Sequence, residues 1–191
     1  KWYVSIQTEF EMEPPRPNGA EVGINMGIVR FATLSSGEYF EPINAFKNLK
    51  GKLAKLQHRL KNKVKFSQNW QKLKAKIAKL HHKIAHCRKD FLHQTSSKIS
   101  KNHAVVYVED LQVSNMSKSA RGTAEEHGKN VKQKSGLNRS ILDQSWFEFR
   151  RQLAYKLAWN GGHLIAVPPQ NTSRTCPCCG YTAKENRQTQ A

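Results

Sequence analysis

The run AVVYVED, residues 104–110, decides the fold. Five uncharged residues, three of them valine, are closed by Glu109-Asp110, which reads as a short buried strand ending in two carboxylates. In α/β sheets, ligands gather beyond the carboxyl ends of the strands. Acids in that place can hold divalent ions that clamp the attacking and leaving oxygens of a phosphodiester. A solvated turn or helix cap carries the same residues, so the pair gains meaning only from partners elsewhere.

Moving upstream, residues 21–34 (EVGINMGIVRFATL) and 38–41 read as two or three strands around a turn at Ser35-Ser36-Gly37. Asn25 stands inside the first of them, in GINMGI, where a polar residue needs a reason: a site, or a satisfied amide in a bulge. Residues 2–10 alternate and predict a further strand. Glu13 to Gly19, rich in Pro and Gly, predicts a linker. Downstream, residues 112–138 lack periodicity and predict a loop. Residues 139–160 place Ile141, Trp146, Phe149, Leu153 and Leu157 on one helical face, stopped by Gly161-Gly162. Trp146, Phe149 and Trp159 could stack on bases, although that spacing also suits a core. Residues 163–167 (HLIAV) predict a strand ended by Pro168-Pro169. The order is that of an α/β protein with a mixed sheet and helices on its faces.

Between the two halves of this sheet lies most of the charge. The 191 residues hold 32 Lys+Arg and 14 Asp+Glu, a net charge of +18. Residues 47–101 carry 17 bases and one acid, Asp90. Leu49, Leu53, Leu56 and Leu60, then Trp70, Leu73, Ile77, Leu80, Ile84, Cys87 and Phe91, step by threes and fours. That spacing predicts two helices folded on an apolar seam, with Ser67 as the second N-cap. With one acid, almost no i,i+4 ion pair can offset the repulsion. A polyanion offsets it instead, which makes Lys52, Lys55, Arg59, Lys63, Lys72, Lys76, Lys79 and Lys83 candidate nucleic-acid contacts. Lys132, Lys134 and Arg139 form a second basic group near the later helix.

Composition excludes other classes. Hydrophobic residues make up 38% and charged residues 24%, too much apolar content for a disordered polyelectrolyte. No apolar run approaches the roughly 20 residues of a membrane span, and no signal-peptide pattern opens the sequence. Four cysteines, three of them clustered, predict a reducing, cytoplasmic setting. Cys176 and Cys179 have the C-x₂-C spacing of one zinc knuckle, with Cys178 an extra sulfur inside it. A structural zinc needs four ligands, so one knuckle is half a site. Cys87 belongs to the helical seam. The sequence opens on Lys1 and stops 11 residues past Gly180, and it reads as a piece of a longer protein.

Three segments carry a family resemblance: GINMGIVRFATLSSGEYF (23–40), KNHAVVYVEDLQVSNM (101–116) and KSGLNRSILDQSWFEFRRQLAYKLAWNGGHLIAVPPQNTSRTCPCCG (134–180). Together they resemble the TnpB/OrfB family of transposon-encoded proteins, related to type V CRISPR effectors. The resemblance implies an RNase H-like (RuvC-like) domain at 20–170 with the basic hairpin 47–100 inserted. It also implies the last strand of a preceding β-barrel at 1–13 and the first half of a zinc ribbon at 171–191. It implies a prokaryotic, nucleoid-associated endonuclease directed to DNA by a guide RNA, using Mg²⁺, with Zn²⁺ in the ribbon and no small-molecule substrate. Of the family's three active-site acids, the first falls on Asn25, the second on Glu109, and the third follows a second zinc knuckle that this sequence does not contain. A neutral amide cannot offset the repulsion between two Mg²⁺ ions. Its presence should cost on the order of 10³-fold in rate, so the expectation is a chain that holds nucleic acid without cutting it. An engineered variant, a natural nuclease-dead relative and a decayed fragment would all carry Asn25. A basic coiled-coil adaptor would explain residues 47–101 but nothing else.

Overall fold

A computed structural model describes residues 4–9, 19–171, 174–176 and 178–186. Five strands form one mixed sheet: β1 (Glu21–Met26), β2 (Ala32–Leu34), β3 (Tyr39–Phe40), β4 (Val105–Glu109) and β5 (His163–Val167), in the order β3-β2-β1-β4-β5. β1, β4 and β5 run parallel, while β2 and β3 complete an antiparallel meander. The α/β fold class expected from the sequence is the one observed.

Alternation sets the faces. Val22, Ile24 and Met26 of β1 and Val106 and Val108 of β4 are buried, and they pack with Leu92, Ile99, Phe149, Leu153 and Leu157. Phe31, in the turn before β2, meets Phe91 and Phe149 edge-on at 4.9 and 4.8 Å. The core therefore lies on one face of the sheet. The odd-numbered residues Gly23, Asn25, Val105, Tyr107 and Glu109 point to the other face and are exposed or half-buried. Helices on both faces were expected; among the described residues the packed helices line one.

The helices are α1 (Ala45–Lys61), α2 (Gln68–Asn102), α3 (Val113–Met116), α4 (Val131–Gln144) and α5 (Trp146–Trp159). α1 and α2 form the expected hairpin on the expected seam, and Ser67 Oγ accepts from the Trp70 N–H at 3.3 Å as its N-cap. The base of the hairpin is held differently. Asn44 precedes α1 in the left-handed region, φ 47°, and its side chain caps nothing. Asp143 of α4 does so from across the fold. Its carboxylate accepts from Phe46 N at 3.1 Å, from Lys47 N at 3.2 Å and from Arg88 Nη2 of α2 at 2.6 Å.

Three expectations are corrected. Residues 4–9 belong to no strand: they have no ladder partner among the described residues, and Val4 and Ile6 stay exposed. The rest of that predicted strand, Phe10 included, and residues 13–18 of the linker lie outside the described residues. Residues 131–138 are the start of α4, not loop. The face Val131, Lys134, Asn138, Ile141 is helical in spacing but half polar, so it is hidden from a hydrophobic pattern. Lys134 Nζ donates to Met116 O at 2.6 Å, and Asn138 Nδ2 donates to Ser117 O and Lys118 O at 2.8 and 3.0 Å. Residues 139–160 are two helices, broken at Ser145 with φ 57°. Asp143 and Trp146 are both buried, yet three residues apart on a continuous helix they would share a face, roughly 60° apart. The break lets Asp143 reach α1 while Trp146 turns into the core.

α5 ends at Trp159 because Gly161 takes φ 73°. A Cβ on Gly162 would sit 2.4 Å from Ala104 O, so only glycine lets the chain pass β4 closely enough to start β5. α5 and α2 share a buried polar chain. Lys156 Nζ donates to His93 O, Ser96 Oγ and Ser97 Oγ at 2.7, 2.8 and 2.8 Å. Ser96 Oγ donates to Gln152 Oε1 at 3.1 Å, and Gln152 Nε2 to Glu148 Oε1 at 3.0 Å. Burial, with Lys101 adding to it, pushes the Lys156 ammonium below its usual range.

Two stability predictions follow from these contacts. Asp143→Ala removes the cap of α1 and strands Arg88, and should cost about 3 kcal/mol in urea unfolding; a loss below about 1 kcal/mol would refute the clamp. The second concerns Glu148, which bidentate bonds from Arg151, aided by Gln152, lower to about 2 against the opposing pull of burial. A depressed carboxyl stabilises the fold above its unfolded value, near 4.5, and that contribution fades as pH falls toward 2. Melting curves of the wild type and Glu148→Gln should therefore differ at pH 6 and converge by pH 2.

Candidate functional site

β1 and β4 pair in parallel, with Glu21 opposite Val105 and Ile24 opposite Val108. One step further along that register puts Asn25 beside Glu109, at the carboxyl ends of neighbouring strands. Both lie on the sheet face away from the core, because each follows a buried residue by one. Glu109 is also paired with Val167 of β5, and the Asp110 N–H donates to Val167 O at 2.8 Å. The sequence-predicted pair, Asn25 and Glu109, is thus brought together.

Two cavities open at this end. One, about 420 Å³, is lined by Met26, Glu109, Asp110, Gln112, Trp146 and Arg150 among others. The second, about 630 Å³, is lined by residues that include Asn25, Gly27, Arg30 and Thr33, and it shares Met26 and Trp146 with the first. Met26 and Trp146 form the wall where the two meet. Arg150 forms an ion pair with Asp110, and Arg30 lies 4.0 Å over the Tyr39 ring. Each cavity therefore carries one guanidinium, the group suited to a phosphate oxygen. Sequence reasoning missed Arg150. Its signal was its place four residues after Trp146, on the same helical face. Trp146 and Phe149, open to either reading, are core residues, 4% and 0% exposed. Trp159 is 63% exposed and stacks edge-on against Tyr155 at 4.7 Å.

The donor set does not fit a two-ion clamp. Asn25 brings a neutral carbonyl, Asp110 is engaged by Arg150, and Glu109 supplies the remaining carboxylate. Among the described residues, no three His, Cys, Asp or Glu side chains stand together as ligands. The cysteine turn fits half of a zinc site. Cys176 N donates to Tyr181 O and Gly180 N to Cys176 O, both at 2.9 Å. The backbone N–H groups of Cys179 and Cys178, together with the Cys179 side chain, hold the Cys176 thiol below its usual pKa. Thiolate is the form that binds metal. Cys178 and Cys179 are exposed.

The basic residues split. Lys52, Lys55 and Arg59 on α1, Lys63 in the turn, and Lys72, Lys76, Lys79 and Lys83 on α2 are all exposed on the hairpin, spaced by threes and fours on each leg. Arg59, Lys63, Lys72 and Lys76 converge on a cavity of about 490 Å³ at its tip. Lys132 and Arg139 are exposed on α4. Lys134 is spent on Met116 O, so it ties the α3–α4 connection instead of offering a contact surface. No helix of the described residues is long and apolar enough to cross a membrane.

Comparison with known proteins identifies the lineage. The profile of the OrfB_IS605 family, described as "Probable transposase", matches residues 4–120, and that of the Cas12f1-like TNB domain matches residues 146–190. The chain is 57% identical over 192 residues to "Putative RNA-guided DNA endonuclease InsQ" of Escherichia coli (strain K12), covering 100% of this chain and 48% of that protein. It is 33% identical over 181 residues to a protein of the same description from Streptomyces pristinaespiralis, covering 94% of this chain and 41% of the relative. The chain thus spans about half the length of these relatives. A solved Cas12f1–sgRNA–target DNA complex shares the fold, with TM-score 0.57 and 20% identity over 91% of this chain and 34% of that one. On these matches the chain belongs to the OrfB_IS605 transposase family.

Proposed function

We propose that this chain is the RuvC-like, nucleic-acid-binding portion of an RNA-guided DNA-targeting protein, and that it holds DNA and guide RNA without cutting. The observation that carries the reading is the parallel register of β1 and β4, whose last pair, Ile24 with Val108, leaves Asn25 and Glu109 as the next residues on neighbouring strands. Position 25 is the one where a nuclease of this family resemblance carries a carboxylate, and here it is neutral. The eight exposed bases of the hairpin supply a backbone clamp that needs no metal. The relatives' names, which refer to RNA-guided DNA endonucleases, and the RNA–DNA contents of the Cas12f1 complex support the choice of partners.

The binding half of the proposal predicts a steep salt dependence. Replacing Lys72, Lys76, Lys79 and Lys83 together by Gln should lower the slope of log K against log salt by about 3, from roughly 0.7–0.9 per phosphate contact. An unchanged slope in a filter-binding titration removes the hairpin from the interface. The cutting half predicts that Asn25→Asp raises Mn²⁺ affinity measured by calorimetry, and that Glu109→Gln abolishes the gain. Guide-dependent cleavage by the unaltered chain, at a rate matching Asn25→Asp, would overturn the proposal.

A further inference from the structure

The turn joining α1 to α2 is built unlike an ordinary helix connection. Phe66 occupies the left-handed region at φ 66° while its ring is 67% exposed, and Val64 beside it is 80% exposed. A bulky side chain in that backbone region is strained, and no burial compensates it. The strain is nonetheless held in place. Ser67 N donates to Val64 O at 3.2 Å, and Gln71 Nε2 to Phe66 O at 3.1 Å. The ring packs 5.4 Å from that of Trp70 at an angle of 58°, so one aromatic supports the other.

Cations surround this pair. Lys65 Nζ lies 5.2 Å from the Phe66 centroid, and Lys74 Nζ lies 5.1 Å from that of Trp70. The cavity of about 490 Å³ in the same tip is lined by Arg59, Asn62, Lys63, Asn69, Lys72 and Lys76, beside Leu73. No carboxylate lines it. The sole acid of residues 47–101, Asp90, is 14 residues beyond Lys76, about 21 Å along the helix. A solvent-facing ring in the same hairpin tip as a concave cluster of four cations and two amides has complementary chemistry in one ligand: an aromatic base joined to a phosphate.

We infer that the hairpin tip is a binding site for an unpaired nucleotide, its base stacked on Phe66 and its phosphate seated among Arg59, Lys63, Lys72 and Lys76. The inference rests on the nucleic-acid reading above and sharpens it from backbone attraction to single-strand recognition. Bases inside a duplex are stacked on both faces and offer none to a protein ring, whereas a splayed base does. Because the ring is already held by its turn and by Trp70, stacking orders little that was free before.

The test uses the chain as it stands. Affinities are measured for a ten-nucleotide oligouridylate, the matching oligothymidylate, and a duplex sealed at both ends, each with 2-aminopurine as a stacking reporter. Phe66→Ala and Phe66→Gly should weaken both single strands by about 5- to 100-fold. Sealed-duplex binding should stay within twofold, and Phe66→Trp should restore single-strand affinity and base quenching. Glycine relieves the left-handed strain, so Phe66→Gly should melt no lower than wild type, separating lost stacking from lost fold. Tighter binding of the RNA strand would assign the site to a guide and of the DNA strand to a displaced target, and either supports it. Single-strand affinity unmoved by Phe66→Ala, or an equal loss on the duplex, overturns the tip site alone. No binding to any of the three overturns the wider reading with it.

Discussion

A single carboxylate, that of Asp143, ties both legs of the basic hairpin to helix α4 at the hairpin's base. It is 3% exposed, and a charge so desolvated is tolerated only when its oxygens are satisfied. They are satisfied by the first amides of α1 and by Arg88 of α2, so one residue of α4 fixes both legs of the hairpin at its base. The hairpin's own seam holds the helices together, the C-terminal half of α2 packs into the core through Leu92 and Ile99, and Asp143 fixes the start of α1 beside it. Three residues on, Trp146 walls both strand-end cavities, and the left-handed turn at Ser145 is what lets the two residues serve different surfaces. One short segment therefore ties the base of the hairpin to the wall of the candidate site.

The electrostatics of the strand ends depend on the same economy. Two carboxylates at Asn25 and Glu109, side by side in a parallel register, would repel and raise each other's pKa until a cation relieved them. With an amide at 25 that tension is absent, and the ends of β1 and β4 form without an ion. The nearby guanidiniums are likewise occupied, Arg150 by Asp110 and Arg30 by the face of Tyr39. The region is quiet as it stands, while the strongest uncompensated charge is carried outward on the hairpin.

The strands, the seam and the Ser67 cap were legible because each rests on a local pattern: alternation in β1, an unbroken apolar run in β4, threes and fours in α2. Asn25 and Glu109 were legible as candidates because polar residues at the end of apolar strands break such a pattern. What escaped was polar and non-local. Helix α4 stabilises its neighbours through Lys134, Asn138 and Asp143, which hydrophobic periodicity cannot register. The break at Ser145 answers a demand from α1, some 97 residues earlier than Asp143 in the chain, and no window of sequence contains both partners. The strand expected at residues 2–10 shows the converse failure, since alternation alone cannot supply the neighbour that a ladder requires.

Geometry also separates the work of the two basic regions. α2 starts at Gln68 and meets Phe31, in the turn after β1, at Phe91, so its tip stands on the order of 35 Å from the strand ends. No single nucleotide step spans that distance, so on the proposed reading the tip and the strand ends meet different stretches of nucleic acid. Engagement at one end then raises the effective concentration of the strand at the other, provided the path between them is held at a fixed length. A rigid helix, packed along Leu80, Ile84 and Leu92 and clamped at Arg88, is the element that keeps that length. On that reading the charge of residues 47–101 acts as a ruler with a gripping end rather than as a diffuse attraction for polyanions.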